Sequence, residues 1–114
     1  MSKAILLVDD DEALRETLAE VLEDEGHAVE CATDGADAMA KLRGGLRPDV
    51  ILLDLMMPVM NGWQFREAQL ADAELASMPV IVITAGRPER AIDARKILKK
   101  PFDVEELLLA IATV

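Results

Sequence analysis

The segment Ala4-Ile-Leu-Leu-Val8, followed at once by Asp9-Asp10-Asp11, decides the fold. An uninterrupted apolar run of this length has the pattern of a strand buried on both faces, where a half-exposed strand would alternate apolar with polar residues. The design returns at Val50-Ile-Leu-Leu53, again ending in a carboxylate, Asp54, and at Val80-Ile-Val-Ile83, which ends in Thr84. Between these runs lie helical faces. Leu14, Leu18, Val21 and Leu22 fall on one stripe, with acidic residues in the first turn where the helix dipole favours them, and Gly26 stops the helix. A second short strand, Ala28 to Ala32, leads to Asp34, a cap for a helix through Met39, Ala40 and Leu42. Gly44, Gly45 and Pro48 mark a turn, and Asn61-Gly62 closes an apolar loop before a helix over residues 63–70. Residues 96–99 hold a brief fifth strand, and Val104, Leu107, Leu108 and Ile111 supply the buried face of a last helix.

Five strands alternating with helices specify an α/β fold with a parallel sheet, and right-handed crossovers wind the helices onto both of its faces. The 114 residues are expected to form a single domain, 1–114. An apolar share of 52% against 30% charged, with 5 Pro and 6 Gly, is an ordinary globular composition. Cys31 stands alone, so no internal disulfide can form. With 12 basic and 22 acidic residues the net charge is −10, which disfavours direct contact with nucleic acid, since that requires a basic surface. The imbalance is uneven: residues 1–86 carry 6 basic and 17 acidic side chains, residues 87–114 carry 6 and 5. No stretch reaches the ~18 apolar residues of a membrane span, and the run ending at Val8 is too short for a signal peptide, so no membrane contact and a cytoplasmic location are expected.

In a doubly wound sheet, ligands bind beyond the carboxyl ends of the strands. The residues at those ends are Asp9 and Asp10, Asp54, Thr84 and Lys100. Three carboxylates gathered on one edge repel one another unless a cation offsets them. An all-oxygen set without His or Cys selects a hard ion such as Mg²⁺. One carboxylate, Asp54, can then act as a nucleophile toward phosphorus, with Lys100 neutralising phosphoryl oxygens and the Thr84 hydroxyl donating a hydrogen bond to one of them.

Four segments, Ile5-Leu-Leu-Val-Asp-Asp-Asp11, Leu52-Leu-Asp-Leu-Met-Met-Pro-Val-Met-Asn-Gly62, Val82-Ile-Thr-Ala85 and Lys100-Pro-Phe102, together span nearly the whole chain, and in order and spacing it resembles the receiver domain of two-component response regulators. The resemblance implies a flavodoxin-like, chemotaxis-regulator fold in which Asp54 accepts a phosphoryl group from a sensor histidine kinase or a histidine phosphotransfer protein and passes the signal to a downstream protein. It further implies that Asp10 binds Mg²⁺ directly and Asp9 through water, with the Met56 carbonyl as another metal ligand. Thr84 takes the place of the switch hydroxyl, Lys100 that of the phosphate-sensing lysine, and the Lys100–Pro101 bond is expected to be cis.

The chain departs from the family pattern in two places. Ile97 stands where members carry an aromatic residue three positions before the lysine, and Thr84 and Lys100 lie close enough in sequence to leave the fourth helix short or missing. A conventional dimer through that region is therefore not expected, and the chain is read as a monomer. Met56 and Gly86, at positions that tune dephosphorylation in the family, cannot orient a water, which implies slow self-dephosphorylation and no enzymatic role beyond it. Two alternatives remain. One is an interaction module that keeps the fold without the phosphorylation switch; the other is a haloacid-dehalogenase-type phosphatase with Asp9 as nucleophile, which leaves Asp54 without a role. Outside the site, His27 is expected at the surface, Cys31 in the core, Trp63 near the acidic residues, and Arg87, Arg90, Arg95 and Lys96 on a solvated face.

Overall fold

The computed structural model describes residues 2–85, 88 and 90–114; of the residues named above, Gly86 and Arg87 lie outside the described set. The elements run β1 (Ala4–Val8), α1 (Glu12–Asp24), β2 (Ala28–Ala32), α2 (Gly35–Arg43), β3 (Val50–Asp54), α3 (Gly62–Leu70), β4 (Val80–Ala85), β5 (Lys96–Lys100) and α4 (Val104–Ala112). All four strand pairings are parallel, and the sheet order is β2-β1-β3-β4-β5. The chain winds one way from β1 to β2 and the other way from β3 onward. The crevice between the carboxyl ends of β1 and β3 is thus the switch point where such sheets bind ligands.

The apolar runs sit where their patterning requires. β3 is buried along its whole length and β1 from Ile5 on, whereas the edge strands β2 and β5 are mostly solvent-facing. Alternate residues of the central strands feed two cores. Leu6, Val8, Ile51, Leu53, Val80 and Val82 pack beneath α2 and α3, while Ile5, Leu7, Val50, Leu52, Ile81 and Ile83 pack beneath α1 and α4. Every helix opens on a polar cap: Asp11, Asp34, Asn61 and Asp103 each accept a backbone N–H of the first turn, and Asn61 forms a capping box with Gln64.

Several boundaries and faces differ from the sequence reading. α3 begins one residue earlier, because Asn61 takes the cap position and Gly62 the first turn. β4 runs on through Thr84 to Ala85, paired with Lys99 and Lys100 of β5. Val104 is 38% exposed instead of facing the core, since it occupies the first turn of α4 at the open edge; Ala110 fills the buried face with Leu107 and Ile111. Cys31 is only half-buried, because β2 is an edge strand whose residues on that face meet a thin cover. His27 is partly covered, its Nδ1 accepting the Lys3 backbone N–H at 3.1 Å.

No helix forms between β4 and β5 among the described residues. The described residues there form irregular chain, with Ile92 and Ala94 packed on the core under α3. The neighbouring loop after α3 depends on one buried amide. Gln69 is fully buried; its Nε2 donates to the carbonyls of Leu75 and Met78 at 2.9 and 3.0 Å, and its Oε1 accepts from Arg66 at 2.8 Å. Gln69→Leu keeps the volume but leaves the Met78 carbonyl without a donor and the Leu75 carbonyl with only the Met78 N–H, at 3.1 Å. It is expected to lower unfolding stability by about 2–4 kcal/mol in urea titration, with the sheet signal in circular dichroism preserved.

Candidate functional site

The sheet delivers Asp9, Asp10, Asp54, Thr84 and Lys100 to one edge because β1, β3, β4 and β5 are parallel and end together. Asp9 is completely buried, Asp54 is 4% exposed and Thr84 2%. Asp10 lies at the surface. One carboxylate oxygen from each of Asp9, Asp10 and Asp54 comes within 4.8 Å of the others, an all-oxygen cluster of the kind a hard divalent cation requires.

Lys100 reaches into this cluster. Its Nζ lies 3.0 Å from Asp9 Oδ2 and 3.8 Å from Asp54 Oδ2, so a single ammonium bridges the two buried carboxylates. Asp9 is held from its other side by the Asp11 N–H, which donates to Oδ1 at 2.9 Å, and its carbonyl accepts from Arg15 Nη1 at 2.7 Å. Both oxygens of Asp9 are thus engaged. Asp54 is held more loosely, its Oδ1 accepting the Met56 N–H at 3.3 Å. Its peptide bonds place it at the end of a fully buried strand, and the cost of ionising there is visible. Burial pushes its pKa from an ordinary 3.8 up to about 6, Asp9 adds to the rise, Lys100 and the Met56 N–H oppose it, and Asp10 raises it slightly.

The loop that follows Asp54 folds back on the site. The Gly62 N–H donates to the Leu55 carbonyl at 3.0 Å, and a Cβ at Gly62 would stand 2.7 Å from the Asp54 carbonyl oxygen and the Leu55 Cα. Only glycine permits α3 to start this close to the acidic residue. Within the loop the Met60 N–H bonds the Pro58 carbonyl at 2.7 Å across Val59, which has φ 67° and is 82% exposed. This is a γ-turn of the strained, positive-φ kind, held by a β-branched residue.

Each expected site residue is present at the crevice, with Met56 on its rim at 55% exposure and the Lys100–Pro101 bond cis. Trp63 lies near the acidic residues, as expected: it lines an open cleft with Asp10, Met56, Met57, Pro58, Asn61 and Arg90. Arg15 was not anticipated as part of the site. Its signal was available, since it is the one cation in the acidic run of α1. Arg90 is solvent-exposed, as expected, and its guanidinium also lies over the Trp63 ring at 5.2 Å from the ring centre.

Two outcomes follow from this geometry. The folded state holds a proton on Asp54 between pH ~4 and ~6 that the unfolded chain releases, so this residue's contribution to stability falls as pH rises through that window and stays unfavourable above it. In metal-free buffer at pH 7–8, Asp54→Asn is expected to raise unfolding stability by about 1–3 kcal/mol, a gain that shrinks toward zero below pH ~4 in denaturant titrations. Val59→Gly, which relieves the turn, is expected to add about 0.5–1 kcal/mol in the same assay.

Comparison with known proteins agrees with this site. A sequence model of the response regulator receiver domain matches residues 5–112. PilH of Pseudomonas aeruginosa is 39% identical over 96% of the chain and 95% of its own length. RpaA of Synechocystis, a DNA-binding dual master transcriptional regulator, is 39% identical over 91% of the chain, which spans only 45% of that protein. The chemotaxis protein CheY4 of Vibrio cholerae superposes with a TM-score of 0.89 at 33% identity, covering 100% of this chain and 99% of that one. With a buried acidic crevice at the switch point of a sheet ordered β2-β1-β3-β4-β5, the chain belongs to the response regulator receiver domains of two-component signalling.

Proposed function

We propose that Asp54 is the phosphoacceptor of this domain, receiving a phosphoryl group from a phosphohistidine of a sensor histidine kinase or a histidine phosphotransfer protein in a Mg²⁺-dependent reaction. The observation that carries the reading is the Lys100 ammonium set between two buried carboxylates, 3.0 Å from Asp9 and 3.8 Å from Asp54. A cation there compensates the carboxylates before transfer and is in reach of phosphoryl oxygens afterwards.

The carboxylate oxygens of Asp9, Asp10 and Asp54 fit Mg²⁺ in type and in mutual distance and would hold it, with the Met56 carbonyl as a further oxygen donor implied by the family. When bound, the ion supplies positive charge to the phosphoryl oxygens and offsets the carboxylates. The remaining chemistry belongs to the chain. A carboxylate oxygen of Asp54 forms the new P–O bond as the P–N bond of the donor breaks; the electron pair leaves on the imidazole nitrogen, and one solvent proton keeps the ring neutral. The Lys100 ammonium and the Thr84 hydroxyl serve the phosphoryl oxygens, Thr84 lying at the end of β4 in the same crevice. Asp9 is a poor alternative nucleophile, because one of its oxygens pairs with Lys100 and the other with the Asp11 N–H. That arrangement argues against the phosphatase reading and for a phosphoacceptor without further enzymatic activity.

The partner of the phosphorylated form is proposed to be a downstream protein. Direct contact with nucleic acid does not suit the −10 charge, and no described helix is long and apolar enough to cross a membrane. We place the exchange in the cytoplasm between monomers. Slow self-dephosphorylation remains the expectation at Met56, whose thioether cannot orient a water.

Intact-mass analysis after incubation with acetyl phosphate and Mg²⁺ tests this reading. One phosphoryl adduct is expected on the native chain, none on Asp54→Asn or in EDTA, and adduct formation slowed at least tenfold by Lys100→Ala. An adduct that survives Asp54→Asn would move the acceptor elsewhere.

A further inference from the structure

The cleft beside the acidic cluster has a volume of about 420 Å³ and opens to solvent between the loop after β3, the start of α3 and the β4–β5 segment. Asp10 and Met56 form its inner end, Trp63 and Arg90 its outer wall, and Arg90 is the one cation among the described residues that line it. Taking the acceptor role of Asp54 as its premise, we propose that this cleft is the subsite through which the phosphodonor enters, and that Arg90 is its phosphoanion-binding residue, held ready by Trp63.

The need for such a residue is electrostatic. A phosphoryl donor is itself anionic, and it must approach three carboxylates on a chain of net charge −10. Lys100 is already committed to the buried carboxylates of Asp9 and Asp54, so less of its charge is free for a donor still outside. A guanidinium at the mouth supplies what the interior cannot, with a planar donor pair suited to two phosphate oxygens at once.

The structure also explains how Arg90 is kept there without a helix beneath it. The Trp63 Nε1–H donates to the Arg90 carbonyl at 3.3 Å, which fixes the backbone, while the guanidinium lies over the indole ring at 5.2 Å. One turn along α3, Arg66 anchors the same segment, donating from Nε to the Asp93 carbonyl at 2.9 Å and lying 3.5 Å from the Asp93 carboxylate. Trp63 follows Gly62, which is pressed against the Asp54 backbone, so the wall is tied to the acceptor by two consecutive residues. Among the described residues the guanidinium's partner is a ring face, an exposed and weak contact that a phosphoanion can replace with charge-assisted hydrogen bonds. The side chain is thus stored near the site in an arrangement that yields readily.

Adduct formation by the full chain, followed by intact mass across a range of acetyl phosphate concentrations at saturating Mg²⁺, tests the inference. Arg90→Ala is expected to raise the half-saturating acetyl phosphate concentration about fivefold while the rate at saturation, the Mg²⁺ dependence and the urea midpoint stay within twofold of native. Arg90→Lys, which keeps charge but not the planar fork, is expected to fall between the two. Because Trp63 is the one tryptophan of the chain, its emission reports the guanidinium: acetyl phosphate should change it in Asp54→Asn, which can bind but not react, and not in the double variant Asp54→Asn, Arg90→Ala; no change in Asp54→Asn would overturn the inference. An unchanged half-saturation in Arg90→Ala, or a fall only in the saturated rate, would overturn the inference while leaving Asp54 as acceptor. Absence of any adduct on the native chain would remove the acceptor reading and this inference with it.

Discussion

The bridge from Lys100 to Asp9 and Asp54 is the constraint around which the molecule is arranged. A parallel sheet that reverses strand order between β1 and β3 opens a crevice at their carboxyl ends, and here both strands end in carboxylates inside it. Burial of Asp54 disfavours its charge and the neighbouring Asp9 adds to the cost, and its rise to a pKa of about 6 registers both. The cation that moderates it comes from the far edge of the sheet, so β5 must dock in register on β4 before the crevice is compensated. Removing one partner of such a buried set leaves charge without an answer, which is why the site and the fold are energetically linked.

The second organising feature is what stands in for the helix between β4 and β5. The irregular segment there is secured to α3 by Trp63 and Arg66 and to the core by Ile92 and Ala94. Arg66 in turn contacts Gln69, which holds the loop after α3, so one continuous polar network joins the β4–β5 segment to the turn before β4. Ile97, in the place where the family carries an aromatic, is 40% exposed on the neighbouring edge strand, next to Val82 in register. An aliphatic side chain there has no aromatic ring to swing toward Thr84. Gly62 and Trp63 connect the Asp54 backbone to the segment between β4 and β5.

Much of this was legible in the chain itself. Continuous apolar runs named the central strands, because a strand covered on both faces has no use for polar alternation. Carboxylates at the ends of two such runs, with a threonine and a lysine ending two more, gave the site, since parallel strands bring their ends to one edge. The short interval from Thr84 to Lys100 anticipated a short or missing helix, and none forms there among the described residues. The misreadings lie at edges. Val104 and Cys31 have apolar chemistry but occupy a helix's open first turn and an edge strand, where burial depends on what neighbours happen to cover.

The sequence by itself determined the strand order's consequences: which side chains meet at the crevice, the all-oxygen character of that meeting, and the surplus of negative charge around it. These follow from local pattern and from rules of chain connection, which need no coordinates. Only the tertiary structure decided that Lys100 bridges two acids, that Gly62 must be glycine for α3 to touch the Asp54 backbone, and that the exposed Arg90 lies over Trp63. Each of these is a contact between residues 8 to 91 positions apart along the chain. Such contacts are set by distances of a few tenths of an ångström between packed elements, which periodicity and composition do not encode.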